Sequence, residues 1–306
     1  MRLWILLAVL LVWPVGPAFA DARDPVRLRL GTLAIDGSRY MKDILALGKQ
    51  IEKRTRGAVV LDWVAGGQLG EEAAMAELVT SGKLDGGGFS ETGLAALVPD
   101  MVAWGTPAVF RSYEDVDRAT AALDPTVREL FGRRELVFGM WADLGFAHIF
   151  SIDPISTLND AVSKAAPFLT ATLDGKLIEA ITTARARAWA VPPLYQLAIP
   201  ASKARYMTNL RYRYVVGGLV FSRAAWSRLP AADQKIVLET CREWQSKIRT
   251  SWRKETERGL AALEKSGVAL RAASDAQLAA FLDELAKSAT TKPELRAKIS
   301  AAVAAR

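Results

Sequence analysis

Two hydrophobic periods alternate along the chain. Val26, Leu28 and Leu30 are separated by Arg27 and Arg29, the period of two that marks a half-buried strand. After a polar stretch at 36–39, Ile44, Leu45, Leu47 and Ile51 return at helical spacing, and Gly57 closes the segment. The exchange then repeats. Residues 59–64 predict a second strand, 66–70 turn into a helix through Leu78 and Val79 to Gly82, and 84–90 predict a third strand. Residues 109–111 lie close to a fourth. Strand alternating with helix in this way predicts an α/β chain built on a parallel sheet.

Residues 114–131 carry Asp115, Val116, Ala119 and Leu123 at helical spacing. Residues 136–150 are apolar and rich in β-formers, which fits two strands or one long bent strand. A polar connection is expected at 154–167, a helix at 169–184, a strand at 188–191 ending on Pro192-Pro193, and a strongly apolar strand at 215–222. Beyond Pro230, Val237, Cys241, Trp244, Ile248, Trp252 and Leu260 hold one stripe as far as Lys265. A helix of that length reaches about 50 Å, more than one small lobe. It therefore predicts a brace over 231–266 between two lobes, lobe one at 24–140 plus 210–240 and a smaller lobe two at 141–209. Ser274 with Gln277 forms a capping box for a further helix, so 267–306 are expected to hold C-terminal helices.

The first twenty residues stand apart. Arg2, an apolar run over 3–15 and Ala18-Phe19-Ala20 make an export signal cut near Ala20, too short to span a bilayer comfortably. A retained anchor is the other reading of that segment. The expected location is the periplasm.

Composition narrows the function more by exclusion. The chain has 306 residues, half of them hydrophobic, so it can bury a full core. Its net charge of +7 is spread out, and the densest run, 242–258, alternates with acidic residues as a solvated helix face does. Nucleic acid is not an expected partner, although anionic solutes would be mildly attracted. One Cys and one His, Cys241 and His148, leave no intrachain disulfide and no basis for a zinc or haem site; no cofactor is expected. The sequence carries no signal for an oligomeric state.

Catalytic patterns are missing. Gly88-Phe89-Ser90-Glu91-Thr92 fails as a nucleophile elbow because Thr92 stands where the second glycine must allow a sharp turn. Ser251-Trp252-Arg253-Lys254 fits S-x-x-K only by chance on a charged helix. Gly86-Gly87-Gly88 lacks the G-K-[ST] of a phosphate loop, and its glycines suit close backbone approach at a strand end. The chain reads as a binding protein and not an enzyme.

Nine segments support a more specific reading. They are Leu30-Gly31-Thr32, 51–57, Gly66-Gly67-Gln68-Leu69-Gly70-Glu71, 81–87, Val98-Pro99-Asp100, 106–112, 188–198, 204–209 and 217–230. In this order they resemble the DctP family, the solute receptors of tripartite ATP-independent periplasmic (TRAP) transporters. The resemblance implies a two-lobed periplasmic-binding-protein-like fold of the Venus-flytrap kind (type II), with the long C-terminal helix as its brace. It also implies that the lobes close on a small solute, often an organic acid, and that the closed form docks on the membrane subunits of a TRAP permease.

The match breaks between Asp160 and Ile181. Family members carry there a strand with an Arg that pairs with the ligand carboxylate, and this chain has no Arg between Asp160 and Ala184. Arg187, two residues before Trp189 on one strand face, is the expected partial substitute; a solvated role for Arg185 and Arg187 is the alternative. The other ligand candidates are Tyr40 after the first strand, Phe89, Ser90 and Glu91 beyond a strand C-terminus, and Trp141 and Trp189 near the lobe crossing. For both tryptophans a core role is the alternative. The competing function is a diverged receptor-like protein acting as a sensor or partner subunit without solute delivery, which the shortened second lobe favours.

Overall fold

The computed structural model describes residues 24–165, 168, 175–199, 202–271, 274–288 and 293–305. The export signal at 1–20 and part of the helix expected at 169–184 lie outside them. Seven strands form one sheet in the order β2-β1-β3-β6-β4-β5, with β7 added beside β6.

Lobe one is built around β1 (Val26–Thr32), β2 (Val59–Val64) and β3 (Gly86–Ser90). The alternation read in residues 26–30 has its physical cause here: Leu28 and Leu30 are fully buried, while Arg27 and Arg29 point to solvent. β1 pairs with β2 and β3 in parallel, but β3 meets β6 (Tyr206–Ser222) antiparallel. The sheet is thus mixed, not parallel throughout. Ala or any larger residue at position 86 would bring a Cβ within 2.2 Å of the Val220 carbonyl oxygen, so glycine there allows the two strands to meet.

β4 (Leu136–Ser151) is the long bent strand, and β6 is its partner along nearly its whole length. Sixteen residues of strand reach about 53 Å, the same span as the 35-residue helix α9 (Ala231–Lys265). Both elements therefore run through two lobes. The β4–β6 register shifts between Asp143 and Gly145, and Gly145 adopts φ +107°, a conformation that costs a Cβ-bearing residue. The strands bend there. Beyond the bend, β5 (Ala188–Val191) pairs with β4, and β7 (Ala269–Arg271) with β6, to make the sheet of lobe two.

Helices cover both faces. In lobe one, α1 (Arg39–Arg54) and α9 pack one face around Leu47, Ile51, Phe221 and Ile248. The other face holds α2 (Glu72–Thr80), α3 (Glu91–Leu97), a 3-10 helix (Pro99–Gly105) and α4 (Tyr113–Gly132), around Trp104, Phe131 and Phe138. In lobe two, α5 (Leu158–Ala165) lies over one face and α6 (Gly175–Thr182) with α7 (Pro193–Ala198) over the other. After α9 the chain returns to both lobes. α10 (Asp275–Ser288) brings Leu278 and Phe281 against lobe two, and α11 (Pro293–Ala304) buries Leu295 and Ile299 in lobe one.

Three local expectations change. No strand forms at 109–111, because Pro107 and the left-handed Ala108 (φ +59°) turn the chain, and the Ala108 N–H bonds to the Tyr212 carbonyl. The stretch at 154–167 is not a bare connection: the Thr157 hydroxyl caps α5 by accepting from the Asp160 N–H, the Asp160 carboxylate accepts from the Ser156 N–H, and Ala161 and Ala165 are buried. β6 begins at Tyr206, nine residues before the apolar run at 215–222, because a partner strand and β7 satisfy its more polar first half. Among the described residues, no helix is long and apolar enough to cross a membrane.

Candidate functional site: a cavity between the lobes

A cavity of about 520 Å³ opens where lobe one meets lobe two, within the range of small-molecule sites. Lobe one supplies the ends of β1 and β3, the glycine turn at 66–70 and the start of α1. Lobe two supplies Gly175 and Ile178 of α6 and Leu194, Tyr195 and Ala198 of α7. The Pro192-Pro193 step ends β5 and starts α7, because proline lacks the N–H of a further ladder bond yet fits a first helical turn. That switch aims Tyr195 at the cavity.

Aromatic rings meet from both sides. Tyr40 of α1 stands edge-on to Trp252 of α9 at 4.4 Å and to Tyr195 at 6.4 Å. Its hydroxyl donates to the Leu144 carbonyl at 3.4 Å. The Trp252 indole donates to Asp43 at 3.0 Å, which fixes its plane. Burial holds the phenols of Tyr40 and Tyr195 far above their ordinary range, so both stay neutral. Trp63 of β2 also lines the cavity, and its indole N–H has no partner among the described residues.

Glu72, at the start of α2, is the buried carboxyl of the wall. It accepts hydrogen bonds from the Ser90 backbone (2.6 Å), the Ser90 hydroxyl (2.5 Å) and the Gly93 N–H (2.9 Å). These bonds favour the charged form, but burial outweighs them and raises the group from 4.5 to about 7. Its neighbour Glu71 reaches across to lobe two, where it accepts from the Gly175 N–H at 2.9 Å.

Of the residues expected from the sequence, Tyr40, Phe89 and Ser90 line this cavity together. The other four do not. Glu91, at the start of α3, forms a buried ion pair with Arg213 of β6 behind the wall. Trp141 is fully buried in lobe one, where its indole donates to Asp124 at 3.0 Å and its ring packs against Trp104. Trp189 lies in the lobe-two core and donates to Gln196 at 2.8 Å. Arg187 is exposed and forms a bidentate pair with Asp153 on the surface. Arg187 precedes β5, outside the buried strand, and its pairing with Asp153 holds it at the surface away from the cavity.

Sequence reading missed Arg39, Trp63, Glu72, Tyr195 and Trp252. Glu72 adjoins the Gly-Gly-Gln-Leu-Gly-Glu segment and Tyr195 the double proline, so both had a local signal. Arg39 and Trp252 had none, since they meet only through the α1–α9 packing.

A two-lobed α/β chain with a cavity between its lobes has the architecture of a solute-binding protein. Residues 30–163 and 200–292 match the bacterial extracellular solute-binding protein family 7, DctP, and the chain belongs to that family. The match skips 164–199, which includes most of the stretch where the resemblance breaks. The uncharacterized protein y4mM of Sinorhizobium fredii is 30% identical over 146 residues, 46% of this chain; the chain matches only 26% of that protein's length. A TRAP periplasmic solute-binding protein of Xanthobacter autotrophicus Py2, solved with β-D-galacturonate, superposes with a TM-score of 0.80 at 18% identity, covering 91% of this chain and 100% of the other. One from Desulfovibrio salexigens, with orotic acid, gives 0.76 at 18% identity, covering 92% and 94%. Among the described residues, no cluster of His, Cys, Asp or Glu could hold a metal ion.

Proposed function

We propose that this protein is an exported periplasmic receptor that closes its lobes on a small organic acid and presents it to the membrane subunits of a TRAP transporter. The observation that carries the reading is the cavity whose wall both lobes complete. A site assembled from two lobes binds its solute tightly only in the shut state, so solute binding shifts the population toward that state. The acids held by the two similar structures agree with a carboxylate solute. Energy for release would come from the permease, which fits the absence of any phosphate loop in the sequence.

Thermal denaturation across carboxylates, sugars, amines and amino acids tests this. A solute at 100 times its Kd adds about 2.7 kcal/mol to stability and raises the melting temperature by several degrees. No stabilising solute in any class would remove the receptor reading. The second reading, a partner subunit without solute delivery, is favoured by one observation: lobe two brings no basic side chain to the cavity among the described residues.

A further inference from the structure

The interior of the cavity and its mouth differ in chemistry. Inside, the polar groups are mostly committed to protein partners. All of the hydrogen bonds recorded for Glu72 go to Ser90 and Gly93, Tyr40 is bonded to Leu144, and the Trp252 indole is bonded to Asp43. The rest of the interior is largely aliphatic and aromatic, with Leu33, Ile44, Leu47, Met140 and Leu219 among the lining side chains. The Trp63 N–H, although without a partner among the described residues, is buried within the wall. A polyhydroxylated solute would leave hydroxyls unpaired against these side chains, which disfavours it.

Among the described residues that line the cavity, Arg39 is the one cation. Its Nε is anchored at 2.9 Å from Asp43 and 2.8 Å from Ser251. Neither terminal nitrogen of its guanidinium has a hydrogen-bond partner among the described residues, so a pre-oriented half of the fork is open. Arg39 also belongs to an open groove along α9, with Lys247, Lys254, Arg258 and a single carboxylate, Glu255. Arg39 is paired with Asp43 and Arg258 with Glu255, which leaves Lys247 and Lys254 as the excess positive charge that attracts anions beside the cavity mouth. Of the other two carboxyl groups lining the cavity, Glu71 is bonded to Gly175 and Glu72 to Ser90 and Gly93.

We infer that the solute is an amphipathic monoanion, a carboxylic acid with an aromatic or branched-alkyl body, whose carboxylate is held by Arg39 at the mouth while the body fills the aromatic interior. This rests on the receptor reading and names its substrate class. Arg39 thereby takes, from lobe one, the charge-pairing task for which lobe two brings no arginine to the cavity among the described residues.

Calorimetric titration of the mature chain with 4-phenylbutyrate, 4-phenylbutylamine and galacturonate tests it, using wild type, Arg39→Gln, Arg39→Lys and Arg187→Ala. The expected order has phenylbutyrate at least about tenfold tighter than either other probe. Arg39→Gln weakens phenylbutyrate by about tenfold or more, Arg39→Lys retains part of the affinity, and Arg187→Ala changes nothing. Melting curves of the free variants separate misfolding from loss of the anchor. Tighter binding of galacturonate overturns the apolar body, and tighter binding of the amine overturns the anionic head; the receptor reading survives either. Equal affinity of wild type and Arg39→Gln removes Arg39. If phenylbutyrate fails while another solute stabilises the protein, the inference falls alone; if no solute of any class binds, both fall.

Discussion

The Glu71 carboxylate of lobe one accepts a hydrogen bond from the Gly175 backbone N–H of lobe two at 2.9 Å. Glu71 stands at the N-cap position of α2 but makes no capping bond there. Its side chain works between lobes. Gly175 opens α6, whose positive end favours the carboxylate. The contact can form only when the lobes are together.

Glu71→Ala therefore leaves the unliganded melting temperature nearly unchanged and weakens solute binding. Losing one such bond from the shut state, about 1 kcal/mol, lowers apparent affinity about fivefold. Comparing Kd with the melting curve of the free protein checks this.

The tryptophans behave in the opposite way. Trp189→Phe leaves the Gln196 side-chain oxygen without its buried donor, at about 1–3 kcal/mol. Trp141→Phe costs less, about 1 kcal/mol, because Asp124 is partly exposed and keeps its bond from Arg128. Chemical denaturation shows the loss, while solute affinity stays at the wild-type value.

Arg213 and Glu91 are both nearly inaccessible, with side chains 5% and 6% exposed. Arg213→Met alone strands a buried carboxylate and costs about 3–5 kcal/mol. Pairing it with Glu91→Leu recovers much of that loss. Urea midpoints of the two single variants and the double variant measure the coupling.

Glu72 gives a pH signature. Its folded-state value, raised to about 7, means that the native state binds the proton more tightly than the unfolded chain, whose ordinary value is 4.5. The stabilising contribution is present below 4.5 and is lost as pH rises through 7. Glu72→Gln flattens that part of the stability profile, measured by urea denaturation at a series of pH values between 4 and 8.

Much of the scaffold was legible because its periods are local. The strand alternation at 26–30 and the stripe from Val237 to Trp252 each follow from which side chains face the core. The site was legible only where chain geometry is local too, as at Phe89 and Ser90 beyond β3. Arg187 and the tryptophans misled because sequence gives residue type without direction: the Trp189 indole finds Gln196 seven residues on, and Arg187 finds Asp153 across a strand. Arg39 depends on Ser251, 212 positions away, and no local pattern could join them.

Closure of the two lobes around a solute is the claim on which the rest depends. Ile35 at the cavity rim in lobe one and Leu197 on α7 in lobe two are both exposed, and Cys241 is buried, so spin labels can be placed at 35 and 197 alone. Their separation should be measured with and without the solute that raises the melting temperature most. The account predicts a longer, broader distribution in the free protein that collapses to one short distance on binding. An identical distribution in both conditions would contradict it.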